Sequence, residues 1–183
     1  MATKKQAKTV VADAAKKLDM PYITERWPGG LLTNFSTIRK SIKKMDGIDK
    51  MKTDGTFDTL SKRERLQISR TREKLEINLG SIVKMNRMPA AIFIIDINKE
   101  HIALKEAAKL GIRSFAVTDT NTNPALVNYP IPGNDDASKS ISHIVEVVTQ
   151  AISEGLSERS AEQDKKALEK QQKAKKISEE AKK

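Results

Sequence analysis

The sequence predicts an α/β fold in which a parallel sheet is flanked by helices and interrupted by an antiparallel helical hairpin. Residues 90–96, which are apolar through Ile95, and residues 114–118 have the length and pattern of strands that are buried on both faces. Between them, residues 99–110 form an amphipathic pattern that ends at Gly111, as helices commonly do. This order gives a βαβ unit with a right-handed crossover. Apolar residues at every third or fourth position from 35 to 48 predict the first helix of the hairpin.

The first part of the α/β domain is predicted to occupy residues 1–33. Residues 3–18 have an apolar stripe at helical spacing with lysines off it, which predicts an amphipathic helix. A short strand is predicted at 21–23. The segment 25–34, called the elbow below, combines Pro28, which fixes one backbone torsion, with two glycines that release the next ones. We therefore expect a sharp turn that leads directly into the hairpin.

The elbow also presents Arg26 beside Trp27, the only tryptophan of the chain. An aromatic ring next to a guanidinium suits stacking on a base or on a ribose-phosphate edge, which makes both residues candidate RNA contacts. The alternative is that Trp27 fills a gap in the core and that Arg26 is solvated. Spacing alone favours this packing interpretation, because single aromatic residues are more often part of a core than of a site.

Residues 34–87 are predicted to form the hairpin. Thr33 or Asn34 can cap its first helix, and Ser61 with Glu64 fits a capping box that opens the second. Apolar residues repeat every seven positions along that second helix: Ile68, Leu75 and Ile82. Because the hairpin has too little apolar surface for a core of its own, we expect it to project from the sheet as a coiled-coil arm.

The excess of positive charge is concentrated in the hairpin. The chain carries a net charge of +10, and residues 36–88 contain fourteen Lys and Arg against seven Asp and Glu, a net +7. This charge favours RNA over an ordinary solvated face, because it exceeds what solubility requires. An anionic membrane surface would attract the same charge. The candidate RNA-binding residues of the hairpin are Arg39, Lys40, Lys43, Lys44, Lys62, Arg63, Arg65, Arg70 and Arg72.

Composition disfavours several other classes of function. The longest apolar run, 90–95, is too short to span a membrane, and no apolar start resembles a signal peptide, so we expect a cytoplasmic protein. The chain has no cysteine and only two histidines, which excludes a disulfide framework and leaves too few ligands for zinc. We therefore expect no metal, no cofactor, and no membrane or small-molecule partner.

Residues 88–155 are predicted to supply the second part of the α/β domain. After the βαβ unit, 130–132 allows at most a short edge strand, and Asp135-Asp136 begins the last packed helix. From 156 to 183 the chain is a charged tail with few large apolar residues, helical or disordered. Composition favours a mobile tail.

Acidic residues after the predicted strands give a second interpretation, an α/β enzyme or nucleotide-binding module with a helical insertion. The loops 96–98, 119–123 and 133–136 should meet at the carboxyl ends of the strands, where open α/β sheets bind ligands. Carboxylates there could hold Mg²⁺ or act as acid and base: Asp96, Asp119, Asp135 and Asp136. Catalysis is disfavoured, because the sequence has neither a glycine-rich phosphate loop nor a Gly-x-Ser-x-Gly nucleophile motif.

Four separated motifs resemble the second family of bacterial small-subunit ribosomal proteins, the ribosomal protein S2 family. They occur in the family's order and are Arg26–Asn34, Pro89–Gly111, Asp119–Asn121 and Ile131–Ala137. The resemblance covers most of the chain. It implies a flavodoxin-like sheet with a coiled-coil arm. That sheet would be incomplete on its amino-terminal side, because family members begin with a further segment that supplies an early helix and the first strands.

The resemblance also implies a function. It predicts a non-enzymatic structural constituent of the small ribosomal subunit that supports translation, lies near the junction of head and body, and binds ribosomal RNA and neighbouring ribosomal proteins. It further implies a role in recruiting the large RNA-binding ribosomal protein S1, although no residue can be assigned to that contact. An incomplete sheet would expose an apolar edge, so we expect the isolated chain to associate.

Overall fold

The computed structural model describes residues 1–180, with side chains described through residue 162. The chain divides into a unit of residues 1–145 and a second unit that begins at residue 146. No helix among the described residues is both long and apolar enough to span a membrane. The α-helices and β-strands follow in chain order: α1 Lys5–Lys17, α2 Phe35–Thr53, α3 Lys62–Leu79, β1 Ala91–Ile95, α4 His101–Lys109, β2 Arg113–Thr118, β3 Tyr129–Pro132 and α5 Ser138–Glu180.

The strands form a parallel sheet in the order β1, β2, β3, which confirms the predicted parallel sheet and its βαβ unit. Ala91 of β1 lies opposite Arg113 of β2, and Phe115 of β2 lies opposite Tyr129 of β3. α4 connects β1 to β2. β3 is the short edge strand that its prolines predict, because a residue without an N–H group cannot complete a ladder on both sides.

Alternate residues of the strands belong to two different apolar layers. Ile94 and Ala116 pack in one cluster with α4, the elbow and the base of the hairpin. Ile95 and Val117 pack in a second cluster with α1 and with Ile141 at the start of α5. Neighbouring strand residues point to opposite faces, so the sheet is covered on both sides, as continuous apolar runs require.

The first residues run along the outer edge of β1. The amino group of Met1 donates to the carbonyl oxygen of Phe93 at 2.6 Å, and the amide of Ile95 donates to the carbonyl oxygen of Met1 at 3.0 Å. The amide of Ala2 donates to the carbonyl oxygen of Ile23 at 3.0 Å. These hydrogen bonds pair part of the outer edge of β1. The expected association of the isolated chain, which depends on an exposed edge, stays a prediction.

Helices α2 and α3 form the predicted antiparallel hairpin. The apolar face of α2 is buried at Ile42, Met45 and Ile48. Arg72 of α3 forms an ion pair with Asp49 of α2 at 2.9 Å. The two helices are therefore held together by apolar packing and by an ion pair between them.

The capping box predicted at the start of α3 is confirmed. The amide of Glu64 donates to Ser61 Oγ at 3.4 Å, and the amide of Ser61 donates to the Glu64 carboxylate at 3.0 Å. The seven-residue repeat does not extend to Ile82, because α3 ends at Leu79 and a short 3-10 turn follows. Ile82 is instead buried in the cluster that contains the sheet residue Ile94. The base of the hairpin and the sheet thus share one core.

One segment differs from the expectations, and a second adopts one of the two states expected for it. No strand forms at 21–23 in the described part of the chain, because Pro21 has no N–H group and the one backbone hydrogen bond to Ile23 does not make a ladder. The charged tail from 156 is helical through Glu180, as part of α5, where a helix or disorder was expected. Its Ala, Glu, Lys and Gln residues have high helix propensity.

Candidate nucleic-acid interface

A buried glutamate of α4, Glu106, holds the elbow in place. Its carboxylate accepts hydrogen bonds from Trp27 Nε1 at 3.1 Å and from the backbone amides of Gly30 at 2.7 Å, Leu32 at 2.9 Å and Thr33 at 3.2 Å. Gly30 has a φ of +83°, a backbone region that favours glycine, which explains why a glycine is needed where the chain turns back to the carboxylate. One side chain therefore sets the shape of the whole turn before α2.

The environment of Glu106 keeps it ionised. Burial raises the pKa of this carboxyl group, but the hydrogen bonds from Trp27 and the three backbone amides outweigh burial and hold the pKa below its ordinary value of 4.5. The sequence-based site residues did not include Glu106. The signal that could have found it is a glutamate on the apolar face of α4, beside Ala103 and Ala107, where an unpaired charge would be costly.

Trp27 belongs to the core. It is 8% exposed, it packs in the same cluster as Leu31 and Ile94, and its N–H group is bonded to Glu106. The ring therefore lies where the packing interpretation expects it, and stacking on RNA stays a prediction. Arg26 is exposed beside it and stays a candidate RNA contact.

Six of the nine basic candidates on the hairpin are exposed to solvent. They are Lys40, Lys43 and Lys44 on α2, and Lys62, Arg63 and Arg70 on α3. Lys43 and Lys44 follow Lys40 by three and four positions, so the three ammonium groups lie on one face of α2. A row of ammonium groups at this spacing can contact successive phosphates of a nucleic acid backbone.

The three remaining basic candidates have partners within the chain. Their contacts are Arg39 Nη1 to the carbonyl oxygen of Asn86 at 3.0 Å, Arg65 Nη1 to Asp58 Oδ1 at 3.7 Å, and Arg72 Nε to Asp49 Oδ1 at 2.9 Å. The hydrogen bond from Arg72 also holds the pKa of Asp49 below its ordinary value. These arginines stabilise the hairpin itself, which sets them apart from the exposed six.

A second polar cluster lies where the predicted loops meet at the carboxyl ends of the strands. Lys4 Nζ is 2.7 Å from Oδ1 of Asp135, 2.7 Å from Oδ1 of Asp136 and 3.4 Å from Oδ2 of Asp96. Asp119 Oδ2 accepts a hydrogen bond from the amide of Asp135 at 3.4 Å. Burial raises the pKa of Asp135 more than Lys4 lowers it. The ion pairs attach the start of α1 to the strand ends.

Known proteins resemble this chain over most of its length. A family model described as "Ribosomal protein S2" matches residues 1–155. The small ribosomal subunit protein uS2 of Flavobacterium johnsoniae is 65% identical over 169 residues, which cover 92% of this chain and 66% of that protein. The protein of the same name from Christiangramia forsetii is 64% identical over 162 residues, which cover 88% and 54%. The chain therefore spans from about half to two thirds of the length of these curated relatives.

Proposed function

The chain belongs to the ribosomal protein S2 family, and from this premise we propose that it is a structural constituent of the small subunit of the cytoplasmic ribosome. In this role it binds ribosomal RNA and neighbouring ribosomal proteins, supports translation and catalyses no reaction. The match to the family carries the proposal, because it spans residues 1–155 and so includes both the elbow and the hairpin. Relatives above 60% identity bear the name of a small ribosomal subunit protein.

The exposed basic side chains of the hairpin make the RNA contact in this proposal. Lys40, Lys43 and Lys44 lie on one face of α2, and Arg70 is exposed on α3. Each ammonium or guanidinium group placed near a phosphate releases a condensed counterion, which gives affinity without reading the base sequence. Arg26, exposed at the elbow just before α2, is a further phosphate contact.

We infer that the hairpin is a coiled-coil arm on a flavodoxin-like domain. Away from the sheet, α2 and α3 pack against each other, and the cleft between them is lined by their own residues together with Leu60 of the connecting loop. Near the sheet, Ile42 and Leu79 join the core cluster that contains Ile94. The hairpin is thus anchored to the sheet at its base, and beyond the base its two helices pack on each other. It can therefore reach RNA that lies beyond the sheet.

The alternative of an α/β enzyme has no support from the relatives, which carry the name of a ribosomal protein. Its candidate carboxylates at the strand ends are engaged with Lys4. Recruitment of ribosomal protein S1 stays an implication of the family, without an assigned residue. Trp27 is left out of the proposed interface because it is buried.

The test removes four exposed positive charges from the hairpin by combining Lys40→Gln, Lys43→Gln, Lys44→Gln and Arg70→Gln. Affinity for small-subunit ribosomal RNA should fall, and the slope of log affinity against log salt should become shallower by about 3 to 4, since each phosphate contact contributes about 0.9. Filter binding across a salt series measures both. The circular dichroism spectrum should be unchanged, because the four substituted side chains are exposed.

The matched control removes the same number of exposed charges from α1 and α4, with Lys16→Gln, Lys17→Gln, Lys105→Gln and Lys109→Gln. This variant should keep most of the salt slope. Equal losses of RNA affinity in both variants would show that net charge, and not the hairpin, determines binding. If the hairpin variant binds RNA as wild type does, the hairpin is not part of the interface. Co-sedimentation of the wild-type chain with small subunits through a high-salt wash tests the ribosomal role itself.

A further inference from the structure

The aspartates at the carboxyl ends of the strands carry more negative charge than the neighbouring lysine neutralises. Asp96, Asp119, Asp135 and Asp136 bring four negative charges together, and Lys4 brings one positive charge, which leaves three in excess. Lys4 contacts Oδ1 of Asp135 and Oδ1 of Asp136. Carboxylates this close repel one another unless a proton or a further positive group lies between them.

Asp135 independently indicates a missing partner. The residue is 0% exposed, and its Oδ2 atom is buried without a hydrogen-bond partner among the described residues. A buried carboxylate oxygen without a donor is costly, so such atoms are normally bonded to protein, to ordered water or to an ion. A second carboxylate lies beside it, because Asp119 Oδ2 accepts the amide of Asp135.

We propose that Asp119, Asp135 and Asp136 bind a hard divalent cation, Mg²⁺ or Ca²⁺. One carboxylate oxygen of each residue lies within 4.8 Å of those of the other two. Around an ion with oxygen ligands at about 2.0 to 2.6 Å, oxygens on opposite sides are about 4 to 5 Å apart. Ligands that are all carboxylate oxygens favour Mg²⁺ or Ca²⁺ over zinc or copper. Lys4 contacts Oδ1 of Asp135, whereas Oδ2 has no hydrogen-bond partner among the described residues.

The bound cation connects two loops of the sheet. Asp119 directly follows β2, whereas Asp135 and Asp136 lie between β3 and α5. A ligand that binds only the folded chain stabilises it in proportion to the logarithm of its concentration over Kd. The site is therefore a structural one, and it does not depend on the proposed contact between the hairpin and RNA.

The experiment uses the full chain after EDTA treatment and dialysis. Calorimetric titration with MgCl₂ or CaCl₂ at constant ionic strength should show one equivalent of at least one of the two ions. At a cation concentration about a hundredfold above Kd, the melting temperature should rise by about 5 to 10 °C. If neither ion binds and neither moves the melting temperature, the proposal is overturned, and water or a proton completes the Asp135 site instead.

Two variants test the ligands, and a third variant serves as the matched control. Asp119→Asn and Asp136→Asn should each weaken cation binding by about tenfold or more. Asp13→Asn, which removes an exposed carboxylate from α1, should leave it unchanged. Asp136 is exposed, so its variant should fold even where Asp119→Asn does not. Equal loss of binding in Asp13→Asn and Asp136→Asn would show diffuse charge attraction and would contradict the site.

Discussion

Glu106 under the elbow and Asp135 at the strand ends are both buried carboxylates, but the protein surrounds them in opposite ways. Glu106 accepts hydrogen bonds from the Trp27 side chain and from three backbone amides. Asp135 has Lys4 on one oxygen, and its other oxygen has no hydrogen-bond partner among the described residues. Burial raises the pKa of both groups, yet the pKa of Glu106 is lowered overall and that of Asp135 is raised.

The difference shows that burial does not decide the charge state of a carboxyl group. The deciding factor is how much of its lost hydration the protein replaces. Four N–H groups distributed over both oxygens of Glu106 replace most of it. A single ammonium group that Asp135 shares with Asp96 and Asp136 replaces much less. The elbow carboxylate therefore has donors on both oxygens, whereas the strand-end carboxylate has one oxygen without a hydrogen-bond partner among the described residues.

The largest effect is expected from Trp27→Ala. It should lower the free energy of unfolding by about 3 to 5 kcal/mol, because it leaves a cavity in the core and removes one donor from Glu106. Urea denaturation measures this loss, and Trp27→Phe, which keeps most of the apolar area, should lose less. A parallel assay of assembly into small subunits completes the test. If Trp27→Ala fails to assemble into small subunits while its stability is unchanged, Trp27 contacts RNA.

Glu106→Gln should cost somewhat less, about 2 to 4 kcal/mol. The glutamine side chain has nearly the same size, but its NH₂ group would face N–H donors of the elbow, which leaves at least one of them without an acceptor. Urea denaturation again measures the loss. The control is Lys105→Gln, an exposed change at the neighbouring position of α4. Equal stability of the two variants would show that Glu106 does not hold the elbow.

Lys4→Met should cost about 1 to 3 kcal/mol. It removes the ammonium group that contacts the buried Asp135, but Lys4 is partly exposed, so the penalty is less than for a fully buried pair. Lys5→Met, an exposed change one residue later, is the control for thermal melting. If the two variants melt at the same temperature, Lys4 does not stabilise the strand-end cluster.

The smallest effect concerns pH and the Glu106 carboxylate. Because the folded-state pKa lies below the ordinary value of 4.5, the stabilisation from ionised Glu106 is fully present above that pH and is lost as the pH falls through the folded-state pKa. The difference in unfolding free energy between wild type and Glu106→Gln should therefore narrow as the pH is lowered from about 5 to about 3. Chemical denaturation over that range measures it. A difference that widens would contradict the lowered pKa.

Much of the fold could be predicted from local patterns. The apolar run at 90–96 became β1, the amphipathic segment at 99–110 became α4, and the capping box at Ser61 formed as its residue types require. Each of these features depends on residues that are close together in the chain. The spacing of residue types along the sequence encodes such short-range interactions directly. The prediction of a strand at 21–23 was wrong. A strand needs a neighbouring strand to pair with, and the spacing of its own residues does not specify one.

The candidate sites depend on contacts between residues that are far apart in the chain. Glu106 bonds to Leu32 across 74 residues, and Lys4 bonds to Asp135 across 131 residues. Composition and periodicity established the amphipathic basic hairpin and the parallel sheet. They did not establish that Trp27 is buried, that Arg72 is engaged with Asp49, or that Glu106 holds the elbow. The physical reason is that a side chain's burial and its hydrogen-bond partners are set by whichever distant elements pack around it, and periodicity describes only its neighbours in the chain.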